Sequence, residues 1–347
     1  MLAGTLLLIG TLFIRNVMQQ DVVRAEKIEW FSGYMQEVAT QNRTDRQMLQ
    51  ETPLEELEQK LDVGVALQNQ LNGLILSIEN GAWEDELQQE IDVYLTAIDY
   101  KEVKGNYSFS NGDMDETIRL NEQLLLLGLP KEDIGRSVQP PLFIKQIVSL
   151  VLNPFGLTVL LVLLGTVITR EFEDRNMQMV YTFPIPKWKY VFVKFTGLLL
   201  TGLIWLSVLF SASYLLPALT VESKELIFDY PLSLANGSFL DAGTYINEAC
   251  IYSVGVLLFA IGVLTLVGFM ARQTIISSVV ILAVFAGGWM SIRNGMDLLW
   301  NPFTYVNVNE AIINHADYFP TGLIVLFGVA AVLLAIAMWG SRKRGVS

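Results

Sequence analysis

Cysteine and histidine are almost missing from the 347 residues: Cys250 and His315 stand alone. One cysteine cannot form an intrachain disulfide, and a single cysteine with a single histidine cannot assemble the sulfur and nitrogen ligand set of a zinc site. The sequence also lacks HExxH, GxSxG and GxxxxGK[ST], so it carries no signature of metalloprotease, serine-hydrolase or P-loop nucleotide chemistry. The long apolar runs are nearly free of Asp, Glu and His, the groups that an intramembrane enzyme or an ion-driven pump places among its helices. Lys145 and Glu248 are exceptions near run ends, where a side chain snorkels to the interface. No catalytic, cofactor-binding or metal-binding residue is predicted, and any energy-driven work would have to draw its energy from another chain.

What is present falls into two populations, one strongly apolar and one strongly acidic. Apolar runs of about 20 residues are long enough to cross ~30 Å of hydrocarbon at 1.5 Å per residue. They predict spans at residues 1–18, 142–169, 190–216, 246–271, 274–292 and 321–339. The first has no basic segment before it and no small-residue cleavage site after it, so it is read as a membrane helix rather than a signal peptide. Asn153-Pro154 interrupts the second span, Pro217 closes the third, and only Arg272 and Gln273 separate the fourth from the fifth. In the outer loop 293–320, Trp300, Pro302, Phe303 and Tyr305 are read as interfacial anchors or a re-entrant piece. The small-residue pairs Ser207/Ser211 and Ala283/Gly287 permit close helix contact. Packing within the chain is the default reading, and contact with a second membrane subunit is the alternative. NPF occurs at Asn153 and at Asn301, too short a match to argue duplication.

The net charge of -12 arises almost wholly from residues 15–141. Such a surface repels phosphates, so nucleic acid is excluded as a partner. Residues 19–141 read as a helical domain, of which 22–48 continue the first span. Thr52, Pro53 and Glu55 predict a capped helix start, with Leu54, Leu57, Leu61, Leu71, Ile75 and Ile78 inward and a stop at Asn80-Gly81. A second helix over 83–103 turns Leu87, Ile91, Tyr94, Leu95 and Ile98 inward. A third is capped by Asp113 and Glu116 and ends at Gly128 and Pro130.

Lys and Arg flank the runs at 170–194, at Arg272 and at 342–344, which predicts those sides as cytoplasmic and places residues 19–141 outside. The segment 170–189 is the most distinctive of these connections. Arg170, Glu171, Glu173, Asp174 and Arg175 crowd into a turn and a half. A helix through 175–181 would align Met177, Val180 and Tyr181, and Pro184 and Pro186 would end it before Lys187. A charged, proline-terminated elbow inside the cell offers a soluble partner a place to push on the membrane helices.

The run REFEDRNMQMVYTFPIPKWKYVFVK (170–194) resembles the first cytoplasmic loop of ABC-2 type transporter permeases. The matching positions are Glu171, Glu173, Thr182, Pro184, Ile185, Lys187, Tyr190 and Lys194, while Arg175-Asn176 stands where many members carry Gly-Thr. The resemblance implies that two permease subunits pair, as a homo- or heterodimer, and that each engages a cytoplasmic ABC ATPase that binds ATP and Mg. It further implies that Arg170, Glu171, Glu173, Asp174, Arg175, Pro184, Pro186 and Lys187 couple to that ATPase. Members with an enlarged external domain look like exporters of antimicrobial peptides or bacteriocins.

The expected fold is all-α: six transmembrane helices, an extracytoplasmic helical domain (19–141) between the first and second, and a membrane domain over 142–347. The expected function is a non-catalytic permease subunit of an ATP-driven exporter in the bacterial cytoplasmic membrane, moving a hydrophobic or amphipathic, peptide-like cargo amid membrane lipid. The alternative is a membrane sensor or scaffold whose outer domain binds a ligand and whose elbow recruits a signalling protein.

Overall fold

A computed structural model of the chain describes residues 1–173, 186–220, 227–295, 298–314 and 318–343. The chain divides into two compact units, one of Met1–Phe13, Val138–Phe228 and Leu234–Ser347, the other of Ile14–Ser137 and Asp229–Ser233. Helix α1 (Leu2–Glu51) belongs to both, and no proline interrupts its 50 residues.

The second unit is an amphipathic-helix domain. After α1 come α2 (Glu55–Asn80), α3 (Trp83–Glu102) and α4 (Asn111–Leu127), with a short strand, β1 (Pro231–Ser233), contributed from later in the chain. On α2 the buried residues Leu67, Leu71, Leu74, Ile75 and Ile78 recur every three or four positions, which gives one apolar face. They pack with Phe31 and Val38 of α1, with Ile91, Tyr94, Ala97 and Tyr100 of α3, and with Met114 and Ile118 of α4. Gly81 ends α2 in the left-handed region at φ 70°, its N–H donating to the Ile78 carbonyl. The Arg24 guanidinium closes the same end, Nε donating to the Ile78 carbonyl at 2.9 Å, where a cation also favours the helix dipole.

Several sequence expectations change here. The capping box at Thr52 does not form: α1 runs on to Glu51, so Thr52 lies in the break, and α2 starts after Leu54 without a side-chain cap. Glu55, Glu56 and Glu58 in the first turn answer the helix dipole instead. Leu95 was expected inward but is 49% exposed, because it lies about 100° round the helix from Tyr94, which takes the core position. Ile98 packs against the core from a half-buried position. Neither Asp113 nor Glu116 caps α4, whose N-cap is Ser110 with no side-chain hydrogen bond.

The second unit also buries charge. Glu90, 5% exposed, accepts from Lys131 Nζ at 2.7 Å and from Asn121 Nδ2 at 2.9 Å. Asp45 meets Lys60 Nζ at 2.9 Å, both side chains mostly buried. Each buried carboxylate thus has a cation within contact, the condition for removing it from water. Burial first, and the nearby Glu90 carboxylate second, raise the Tyr94 phenol above its ordinary value.

The first unit holds α5 (Pro140–Val151), α6 (Pro154–Glu173), α7 (Lys187–Thr220), β2 (Phe239–Asp241), α8 (Ala242–Ala271), α9 (Thr274–Arg293), a 3₁₀ turn at Pro302–Tyr305, α10 (Val308–Ile313) and α11 (Tyr318–Lys343). Among the described residues, five helices are long and apolar enough to cross a membrane, or six if α5 and α6 together make one bent span. Helix α8 is the axis of this unit, buried along most of its length from Ala242 to Gly268. A Cβ at Gly262 would lie 3.5 Å from the Ala330 backbone, so small residues let α8 and α11 approach backbone to backbone.

Helices α5 and α6 meet at 69°. Asn153 wires this corner: its Nδ2 donates to the Ser149 and Leu150 carbonyls at 2.9 and 3.0 Å, and its Oδ1 accepts from Gly156 N–H at 2.9 Å. A Cβ at Gly156 would sit 2.1 Å from the Val151 carbonyl oxygen, so the bend requires glycine there. The freed Leu152 carbonyl accepts from Val308 N–H at 3.2 Å.

Pro217 does not close α7. The helix continues to Thr220, because a proline in the final turn removes one backbone bond and little else. Phe303 and Tyr305 are not interfacial anchors: Phe303 stands edge-on to Phe259 and Phe285, and Tyr305 is fully buried, while Trp300 is exposed. Ser207, Ser211, Ala283 and Gly287 all lie on exposed faces, so these small pairs do not pack helices within the chain as the default reading had it.

Candidate functional site

Helix α6 carries the first residues of the elbow. Arg170 is exposed in its last turns, Glu171 continues the helix, and Glu173 is its exposed final residue. Glu173 Oε1 accepts a 2.7 Å hydrogen bond from Thr274 N–H, the first residue of α9. The carboxylate thus satisfies one of the unpaired amides at a helix N-terminus, where negative charge is also favoured by the dipole. One turn back, the hydroxyls of Thr169 and Thr274 are 2.7 Å apart. Thr169 donates to the Gly165 carbonyl, so the proton between the two hydroxyls comes from Thr274. Two hydrogen bonds therefore fasten the end of α6 to the start of α9, 101 residues later in sequence.

On the far side of the elbow, Pro186 is exposed and its carbonyl accepts from Lys189 N–H at 2.9 Å in the opening turn of α7. Lys187 is the first residue of that helix and is half-buried. Asp174, Arg175 and Pro184 lie outside the described residues, as does the helix expected over 175–181; so does His315. The structure therefore ties Glu173 to α9, and places Arg170 and Glu171 on α6 and Pro186 and Lys187 at the start of α7.

Between α6 and α9 lies an apolar cleft of about 750 Å³, within the range of small-molecule sites. Val159, Val162, Leu163, Leu282 and Phe285 form much of its wall, and Asn153 and Asn307 bring amides to its lining. The sequence marks Asn153-Pro154 as a break in the span and Asn153 as part of a repeated tripeptide, but not as a lining residue of a cleft. Its role depends on the bend, which puts it at both the corner and the cleft. Thr274 was missed because nothing near it in the sequence signals a partner at Glu173.

A bundle of long apolar helices, with charged residues gathered at the connections, defines a multi-pass membrane protein. Over residues 5–339 the sequence matches the family described as ABC-2 family transporter protein, nearly its full length. The chain belongs to that family and is a membrane permease component of the ABC-2 type, a family that works with ABC ATPase subunits. No curated protein and no solved structure matches it.

Proposed function

We propose that this chain is the permease subunit of an exporter driven by ATP hydrolysis in a separate cytoplasmic ABC ATPase, moving a hydrophobic or amphipathic solute such as an antimicrobial peptide or bacteriocin. Two permease subunits pair, the second being a copy of this chain or a related one. Residues 170–189 receive the ATPase through Arg170, Glu171, Glu173, Asp174, Arg175, Pro184, Pro186 and Lys187, with Glu171, Glu173 and Arg175 docking it and Pro184 and Pro186 fixing the angle. Residues 19–141 stand outside the cell, and ATP and Mg reside in the partner. The observation that carries the reading is the Glu173–Thr274 hydrogen bond, which gives a displacement at the elbow a direct route from α6 to α9, the helices that flank the apolar cleft. The exposed small-residue faces on α7 and α9 support pairing with a second subunit, since such faces allow close helix approach.

The test is reconstitution with the co-expressed ATPase in proteoliposomes. Glu171→Lys should lower cargo-stimulated ATP hydrolysis and transport severalfold while membrane insertion is unchanged. Unaltered hydrolysis and transport would reduce 170–189 to a solvated loop, and co-purification of a kinase in place of an ATPase would favour the sensor.

A further inference from the structure

At the end of the first unit that holds the α8–α9 turn, a second, smaller cleft of about 210 Å³ opens between α8 and α11. Its walls include Leu266, Phe269, Met270, Ile336 and Trp339, and Arg272 joins them. Both helices are long and apolar enough to cross a membrane, and the cleft lies at their shared end, where an apolar span gives way to the polar α8–α9 turn. Among the described residues the Arg272 side chain makes no hydrogen bond or ion pair, whereas Lys189 and Lys194 lie over the rings of Trp188 and Tyr190. Tyr190 in turn stands edge-on to Phe269, bringing the basic start of α7 against the cleft wall. The sequence after Ser341 continues Arg-Lys-Arg.

The backbone adds an independent sign. Helices α2 and α4 end in glycine at φ 70° and 68°, whereas α8 ends in Arg272 at φ 55°. Glycine adopts that conformation freely, and a residue bearing Cβ is strained by roughly 1–2 kcal/mol. A strained arginine where glycine would serve suggests that the guanidinium itself is used.

We propose that this cleft binds one anionic phospholipid of the leaflet beside the α8–α9 turn, an acyl chain lying along Leu266, Phe269 and Ile336 and the phosphate pairing with Arg272. A zwitterionic lipid fills the apolar part equally well but brings its own cation to the arginine, so the site discriminates by headgroup charge. A free phosphate would leave the apolar wall open, which is why the occupant is a lipid.

The full-length protein in nonionic detergent is titrated with palmitoyl-oleoyl phosphatidylglycerol, with the phosphatidylcholine of the same chains, or with glycerol phosphate alone. Bound molecules are counted by native mass spectrometry and the unfolding midpoint is recorded. Wild type should prefer the phosphatidylglycerol by about fivefold, the effect of one basic residue at a membrane surface. Arg272→Gly suits the left-handed backbone, so it should fold at least as well without lipid yet bring the preference to near parity. Arg272→Lys should retain most of it. A Cβ on Gly340, which lines the cleft, meets no atom within 4 Å, so Gly340→Leu fills the groove and should lower binding of both lipids with Arg272 intact. An Arg272→Gly protein that still prefers phosphatidylglycerol fivefold would overturn the proposal, as would glycerol phosphate matching the intact lipid.

Discussion

The two units are both helical but are held together by different means. The amphipathic unit buries aliphatic and aromatic stripes and then fixes register with paired charges, Glu90 to Lys131 and Asp45 to Lys60. In the membrane-type unit, α8 is apolar on nearly every side and its packing depends on small residues such as Gly262 against Ala330. Water explains the difference. In its presence, apolar burial drives assembly and each buried charge demands a partner; among lipid tails, apolar contact with a neighbouring helix gains little over contact with lipid, so shape decides.

The strongest way to break this contrast is to leave a charge unpaired in the amphipathic unit. Lys131→Met strands the Glu90 carboxylate and should destabilise that unit by about 3–5 kcal/mol, read as faster amide exchange in α3 and α4 with α8 unaffected. The shape rule is tested by Gly262→Leu, which forces side-chain bulk against the Ala330 backbone. It should cost about 1–3 kcal/mol and lower the unfolding midpoint in detergent without altering exchange in α2 to α4.

Acidity should act with opposite sign through two carboxyls, one in each unit. Burial holds the Glu132 carboxyl above its ordinary value of 4.5, against the lowering effect of the Ser137 hydroxyl. The folded state then binds that proton more tightly than the unfolded chain, so Glu132 favours folding at low pH and the advantage fades as pH rises from about 4.5 through the raised value. In the other unit burial tends to raise Asp241, but hydrogen bonds from Thr244, including its N–H at 2.7 Å, outweigh burial and hold the carboxyl below its ordinary 3.8. Asp241 caps α8, and its contribution is present above 3.8 and lost as pH falls through the depressed value. A pH series of amide exchange should show both slopes, and Glu132→Gln should flatten only the first. The smallest effect is expected at Leu95, exposed on α3, where Leu95→Lys should change stability by less than about 0.5 kcal/mol in a thermal melt.

What could be read from sequence follows the same division. In the amphipathic unit the three- and four-residue spacing and the glycines at 81 and 128 gave helices close to those observed, because water makes the buried face differ chemically from the exposed one. Thr52 misled because a cap motif says nothing about whether the preceding helix has ended, and α1 had not. In the apolar unit, periodicity cannot say which face turns inward when every face is apolar, so the exposure of Ala283 and Gly287 and the burial of Tyr305 were hidden. The charged elbow was visible as composition at Glu171 and Glu173. Its attachment to Thr274 was not, since that bond exists only once the chain has returned after 101 residues.

The corner at Asn153 has a bearing on how the bundle can move. A bent chain inside lipid normally exposes peptide groups that nothing nearby can solvate. Here one amide side chain serves both arms of the corner, and the Leu152 carbonyl is taken by Val308. A change in the angle between the arms would therefore have to carry the Asn153 side chain with it, since that one side chain holds both.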